Sequence, residues 1–273
     1  MSGHRITRRQ LGGLIAGFAA VNPARAVEQP LALSHFKLRV SDLDRSVGFY
    51  YSLFGGLTLE IRSGSHFAPP DVRAVGMNIA SGVTFIILSA PDPKTPVGLE
   101  HIALDTAGVQ MLTRYHMPWA FPNEPYIRDP DGTWVEFSAA TGDWNTAPQA
   151  TKPRLPGNPA IKPPLFESVA IQRVAIKVLD LTRAAEFYRH FGAEMGWSDS
   201  KNAKAFDFRG TTLQLVASRE APGLDSFTVG VRNLEPAAAR RALHKLGIKT
   251  SRNPHERVGF RDPDGNRVEV AAA

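Results

Sequence analysis

The sequence predicts an α+β fold made of two similar halves. Three observations carry that expectation: an internal repeat, a switch of hydrophobic period inside each copy, and one tight-turn motif near the end of both. Val40, Asp42, Leu43, Arg45, Phe49 and Tyr50 return as Val178, Asp180, Leu181, Arg183, Phe187 and Tyr188. The string "RDPDG" beginning at Arg128 returns at Arg261, each time ahead of a segment ending V-E-F or V-E-V. Self-similarity on this scale means that one supersecondary unit is used twice.

The first copy opens with Phe36, Leu38 and Val40 alternating with His35, Lys37 and Arg39, the period of two that makes a strand with one apolar face. Asp42 stands where a helix N-cap belongs, with a side chain able to accept from free N–H groups of the first turn. Leu43, Val47, Tyr50 and Phe54 follow at helical spacing, and Gly55 with Gly56 ends the helix. "GVTFIILSA" over 82–90 reads as a buried strand, and "EHIALD" over 100–105 starts a second round with a short helix around 109–116. "DPDG" is a tight turn into the strand "TWVEF". The second copy runs the same way through "TTLQLVA", "DSFTVGV", a helix over 235–246 and "NRVEVA". Between the copies, residues 141–167 hold six prolines and read as an extended linker.

With 273 residues and 43% hydrophobic content, the chain can build one large core or two ordinary ones. Its formal charge of +6 is concentrated at the N-terminus. Residues 1–26 hold Arg5, Arg8, Arg9 and Arg25 and no acid, and the remainder carries 28 bases against 26 acids. That balance gives no reason to expect nucleic acid or a membrane surface as a partner. "TRRQLGG", an apolar run over 11–21 and "PARA" ending at Ala26 follow the order of a twin-arginine signal peptide. The run is too short to span a bilayer. The expectation is export by the twin-arginine machinery to the periplasm or beyond, with 1–26 removed; a disordered basic tail is the plainer alternative. Cysteine is absent, which excludes disulfides, thiol catalysis and sulfur-ligated metals.

The strand–helix–strands pattern, the opening "H-x-x-L-R-V-x-D-L-x-R-S-x-x-F-Y" and the closing "DPDG-x-x-x-E" together resemble the vicinal oxygen chelate superfamily. That group includes glyoxalases, fosfomycin- and bleomycin-resistance proteins, epimerases and extradiol dioxygenases. The resemblance covers residues 31–140 and 168–273 and implies two tandem domains with those bounds. Each would consist of paired β-α-β-β-β units whose curled mixed sheets enclose a cavity, with metal ligands on the inner face. One scaffold hosts many reactions, so the resemblance speaks more to fold than to chemistry.

Matched position by position, the resemblance makes His35, His101 and Glu136 the metal ligands. Strand parity agrees with it. Phe36, Leu38 and Val40, then Ile102 and Leu104, then Val135 and Phe137 take one face, leaving all three candidates on the other. Two imidazoles and a carboxylate form a facial set with open coordination positions, suited to Fe(II) or Mn(II) and compatible with Zn(II) or Ni(II). The alternative is that this polar face is the wet side of an antiparallel sheet. Lys37 and Arg39 would make the cavity cationic for a carboxylate or phenolate substrate, and Trp134 would stack on its ring. Tyr126 would donate to a bound oxygen, and His66 would act as general acid or base from a loop. His116 reads as a helix-surface residue; Trp197 and the pairs Phe49-Tyr50 and Phe187-Tyr188 read as packing.

The second copy aligns without gaps to put Arg173 at His35, Ser226 at His101 and Glu269 at Glu136. A single metal site is therefore expected, in the first half, with the second half degenerate. Arg173 either pairs with Glu269 or both are solvated. Glyoxalase-type members of the superfamily take a fourth ligand, usually Glu, where this chain has Ile87, and the only acid over 79–99 is Asp92. A three-ligand site fits extradiol ring cleavage or a transferase of the fosfomycin-resistance kind. Tyr126, Asp129, Pro130, Gly132 and Glu136 also follow the extradiol signature, from which Pro125 and the distant His116 depart. The resulting expectation is a mononuclear metal-dependent enzyme of extradiol dioxygenase type, monomer or homodimer, acting on a small oxygen-chelating molecule. Metal-free sequestration of the bleomycin-resistance type and a glyoxalase- or epimerase-type reaction are the alternatives.

Overall fold

A computed structural model of the protein describes residues 30–62, 73–80, 83–92, 95–105, 126–138, 163–196, 200–252 and 256–273. The leader, His66, His116, the helix expected over 109–116, Trp197 and most of the linker lie outside the described residues.

The first half runs β1 (Ala32–Arg39), α1 (Leu43–Phe54), β2 (Leu57–Arg62), β3 (Arg73–Asn78), β4 (Phe85–Ser89), β5 (Gly98–Asp105), β6 (Tyr126–Arg128) and β7 (Trp134–Ser138). The second runs β8 (Ser168–Val178), α2 (Leu181–Tyr188), β9 (Ala193–Glu194), β10 (Ala203–Phe208), β11 (Thr211–Ala217), β12 (Gly223–Val231), α3 (Pro236–Lys245), β13 (Thr250–Arg252), β14 (Val258–Arg261) and β15 (Arg267–Ala272). Asp42 and Asp180 are extended residues whose carboxylates accept from the N–H groups of Arg45 and Arg183, each at 3.0 Å, and so start α1 and α2. Gly55 closes α1. α3 begins on Pro236, whose missing N–H is one a helix would leave unbonded anyway.

Two mixed sheets result, with orders β2-β3-β4-β1-β5-β7-β6 and β13-β14-β15-β12-β8-β11-β10-β9. At the centre of the first, β1 pairs with β4 in parallel and with β5 antiparallel; β8 does the same with β11 and β12. Neither sheet is curled shut around a cavity, which corrects the expectation drawn from the resemblance. Closure requires the two edge strands to pair. Here the first sheet ends at β2 and β6 and the second at β13 and β9, and these edges do not meet among the described residues. The apolar faces are buried by a different route. One continuous core takes Phe36, Leu38, Ile102 and Val135 of the first half together with Val174, Phe227, Val229 and Val268 of the second. The rings of Phe36 and Phe227 lie 5.2 Å apart and those of Phe137 and Phe191 5.3 Å. Each such buried side chain contributes about 1.5–3 kcal/mol.

The repeated "DPDG" turns do more than reverse the chain. Gly132 and Gly265 sit at φ +95° and +87°, a region that favours glycine. The Asp129 carboxylate accepts from the N–H groups of Asp131 and Thr133, and Asp262 from those of Asp264 and Asn266. Each aspartate then reaches the other half: the Tyr50 hydroxyl donates to Asp262 at 2.6 Å, and the Tyr188 hydroxyl donates to Asp129 at 3.0 Å. Burial, reinforced by these carboxylates, raises both phenols well above the ordinary tyrosine range, so they remain donors. The tyrosines assigned to packing thus brace the two halves reciprocally. The described end of the linker is also docked, with the N–H groups of Leu165 and Phe166 donating to the Ser52 and Leu53 carbonyls of α1.

Candidate metal centre

β1, β5 and β7 are neighbours, and that adjacency brings three side chains distant in sequence to one spot. His35 Nε2 lies 3.2 Å from His101 Nε2 and 3.5 Å from Glu136 Oε2, and His101 Nε2 lies 3.0 Å from the same oxygen. Both histidines are buried and Glu136 is partly buried. The face they occupy is not wet: Lys37, Arg39 and Ala103 on it are buried as well.

This donor set fits a divalent cation. Bonds of about 2.1 Å at right angles hold two donor atoms about 3.0 Å apart, close to the observed separations. Hydrogen bonds can also link the cluster. With Glu136 ionised, the two facing nitrogens supply at most one hydrogen each. Both hydrogens can be directed at Glu136 Oε2, whereas nitrogens bare of hydrogen present lone pairs to a metal. The far sides of the rings favour inward lone pairs. Ser34 Oγ lies 3.2 Å from His35 Nδ1, where it can accept the ring proton. His101 Nδ1 is buried without a hydrogen bond, with Glu100 Oε1 at 3.7 Å. Such outer contacts fix the tautomer that presents Nε2 to a metal. Phe85 stacks on the His35 ring at 4.9 Å.

The electrostatics separate the three groups. Burial lowers the pKa of His35, outweighing the Glu136 carboxylate that raises it. Burial also opposes charge on His101, but Glu100 and Glu136 together prevail and hold its pKa above the ordinary value. For Glu136, burial pushes the pKa up, yet its contacts with His101 and His35 hold it well below the carboxylate range.

Glu100, absent from the sequence-derived candidates, turns out to organise the neighbouring charges. It lies 2.8 Å from Lys37 Nζ and 2.5 Å from Arg39 Nη2, and all three head groups are buried. Burial alone would raise the Glu100 pKa; His101 and Lys37 bring it down to about 2. Lys37 and Arg39, expected to meet substrate, are therefore engaged with an internal carboxylate. One positive charge of the pair is left over beside the cluster, and Arg39 Nε and Nη1 have no hydrogen-bond partner.

The remaining candidates fall close by. The Tyr126 hydroxyl donates to Glu136 Oε2 at 2.8 Å, and its ring meets His101 edge-on at 5.5 Å. Trp134 sits opposite His101 in the parallel register of β5 and β7, with the Arg128 guanidinium 3.8 Å from its ring centroid. Ile87 is a buried residue opposite Lys37 and adds no donor. In the second half, Arg173 Nη2 meets Glu269 Oε2 at 2.6 Å, so that pair forms, while the buried Ser226 hydroxyl donates to Asp225.

No family model matches the sequence, and no curated protein does. Solved structures match across nearly the whole chain. The 2,3-dioxygenase LapB from Pseudomonas sp. KL28 shares 14% identity over 91% of this chain and 94% of its own, with a TM-score of 0.60. A mutant of 4-hydroxymandelate synthase from Streptomyces coelicolor shares 14% over 90% and 94%, also at 0.60. The anaerobic substrate complex of homoprotocatechuate 2,3-dioxygenase from Brevibacterium fuscum, with 3,4-dihydroxyphenylacetate, shares 14% over 91% and 82%, again at 0.60. Likeness at this identity establishes a shared fold. The chain shares the fold of these proteins, and it carries a His-His-Glu cluster of the kind that holds a divalent metal.

Proposed function

We propose that His35, His101 and Glu136 hold one divalent metal, Fe(II) or Mn(II) in preference to Zn(II) or Ni(II), and that the protein is an extradiol-type dioxygenase of a small catechol-like molecule. The observation that carries this reading is the mutual approach of two imidazole nitrogens and one carboxylate oxygen, all within 4.8 Å of one another. When bound, the metal supplies Lewis acidity toward adjacent substrate oxygens and one-electron chemistry toward dioxygen.

The chain's own residues prepare the site. Ser34 and Phe85 fix the His35 ring, and Glu100 stands behind His101. Tyr126 donates to the Glu136 oxygen that faces both imidazoles and so holds that carboxylate in place. The surplus positive charge of Lys37 and Arg39 over Glu100 favours a substrate that has lost a proton. Trp134, half-buried with the Arg128 guanidinium 3.8 Å from its ring centroid, stands two residues before Glu136 on the same face of β7. A four-ligand glyoxalase-type centre lacks its donor at Ile87.

The test is metal analysis paired with oxygen uptake on catechols, before and after chelation and reloading. About one equivalent of metal and chelator-sensitive uptake are expected, both lost in His35→Ala and Glu136→Ala. Tight catechol binding that ignores chelator and gives no turnover would replace the enzyme with a sequestration protein.

A further inference from the structure

We infer that Glu100 is a positioning residue of the metal centre: its carboxylate holds the His101 ring through Nδ1 and so keeps Nε2 turned to the cation. The inference deepens the metal-dependent reading and rests on it.

The geometry begins with an irregularity in the sheet. Where β1 pairs with β5, the register shifts between Leu33 and His35 and again between Lys37 and Leu38. The first shift leaves Ser34 unmatched and the second leaves Glu100 unmatched, so each is the extra residue of a bulge. Each also immediately precedes one of the two histidines and lies beside that ring's Nδ1. Ser34 Oγ is 3.2 Å from His35 Nδ1, and Glu100 Oε1 is 3.7 Å from His101 Nδ1. The second half keeps both bulges, with Gln172 and Asp225 as the extra residues. There Arg173 and Ser226 follow in place of histidines. Gln172 donates to the Ala272 carbonyl, and Asp225 accepts from the Ser226 hydroxyl. The bulges thus belong to the repeat, while a carboxylate set beside an imidazole belongs to the first half.

Two further observations separate Glu100 from a simple counter-ion of Lys37 and Arg39. His101 Nδ1 is buried without a hydrogen-bond partner, and Glu100 is the one carboxylate within 4.0 Å of it among the described residues. A hydrogen on that nitrogen needs an acceptor, and this oxygen is at hand. The gap is somewhat longer than a hydrogen bond, and rotation of the ring about its own bonds can close it. The carboxylate, for its part, is anchored at both oxygens, with Lys37 Nζ 2.8 Å from Oε1 and Arg39 Nη2 2.5 Å from Oε2. It is therefore a fixed reference against which the ring is set. A carboxylate behind a ligating imidazole fixes the tautomer and makes the opposite nitrogen a better donor. The Ser34 hydroxyl, being neutral, gives His35 a weaker hold.

Proton and nitrogen NMR of the full chain without metal, together with calorimetric titration with Mn(II), tests this. A downfield, exchange-protected Nδ1–H signal of His101 is expected in the wild type. Glu100→Gln removes the charge but keeps an accepting oxygen; Glu100→Leu removes both. The signal should persist in Glu100→Gln and vanish in Glu100→Leu. Mn(II) affinity should fall about 10–100-fold in Glu100→Leu, the usual loss when a ligand's outer partner is removed, and less in Glu100→Gln. A carboxylate that only neutralised Lys37 and Arg39 would make the two variants alike, since each leaves both cations without it. If the variants do not fold, the wild-type signal decides alone. The inference by itself is overturned if the wild type binds Mn(II) without showing that signal, or if both variants weaken binding equally or not at all. A wild type that binds no metal overturns the metal-dependent reading, and this role with it.

Discussion

At equivalent positions on the two sheets, Glu136 faces two imidazoles and Glu269 faces three guanidiniums. Both carboxylates are removed from water to a large extent, and a buried anion needs a positive partner. The second half supplies that partner covalently, through Arg173, and its carboxylate is satisfied by the chain itself. The first half offers two imidazoles instead, whose nitrogens can act as metal donors. Arg173 in place of His35, with Ser226 in place of His101, therefore separates a cluster of metal-donor type from a carboxylate paired within the chain.

His35→Arg should break this contrast most completely. The new guanidinium can meet Glu136 as Arg173 meets Glu269, so bound metal should fall from about one equivalent to under about a tenth, with circular dichroism unchanged. A folded variant that keeps its metal would refute the equivalence of the two sites. Next in size is Glu100→Ala, which strands Lys37 and Arg39 in the interior and should cost about 3–5 kcal/mol in denaturant unfolding. In the second half, Glu220→Ala removes the exposed partner of Lys177 and should leave the unfolding midpoint unmoved.

Tyr50→Phe and Tyr188→Phe sharpen the comparison at the braces. Each removes a buried bond to a carboxylate and should cost about 1.5–3 kcal/mol, measured the same way. The smallest effect concerns pH. Burial outweighs the hydrogen bonds to Asp129 and raises its pKa above 3.8. The folded chain therefore holds this proton when the unfolded chain has lost it, and this contribution to stability declines as pH rises from 3.8 through the raised pKa. Asp129→Asn should flatten that slope in pH-dependent melting curves.

Much of the architecture was legible because it rests on short-range rules. The caps at Asp42 and Asp180, the repeat, and the alternation that sorts Phe36, Leu38 and Val40 from His35 all reappear in the coordinates. Glu100 escaped because parity placed it opposite His101. The pairing of β1 with β5 shifts register there, matching Lys37 to His101 and Leu38 to Leu99, and Glu100 is the extra residue of a bulge. A bulge turns a side chain to the face that simple alternation denies it. The signal was present in the spacing of Leu99, Ile102 and Leu104, three positions and then two. The open sheets and the tyrosine–aspartate braces were not legible, because both depend on how one half meets the other, which no local pattern encodes.

The reciprocal braces have a consequence for the size of the protein. Cut between residues 138 and 163, the portion with the His-His-Glu cluster would lose the hydroxyl that completes its own turn and would bare Phe36 and Phe137 to solvent. The second portion is thus an internal scaffold for the first, and a shortened protein would first need a substitute for that missing surface.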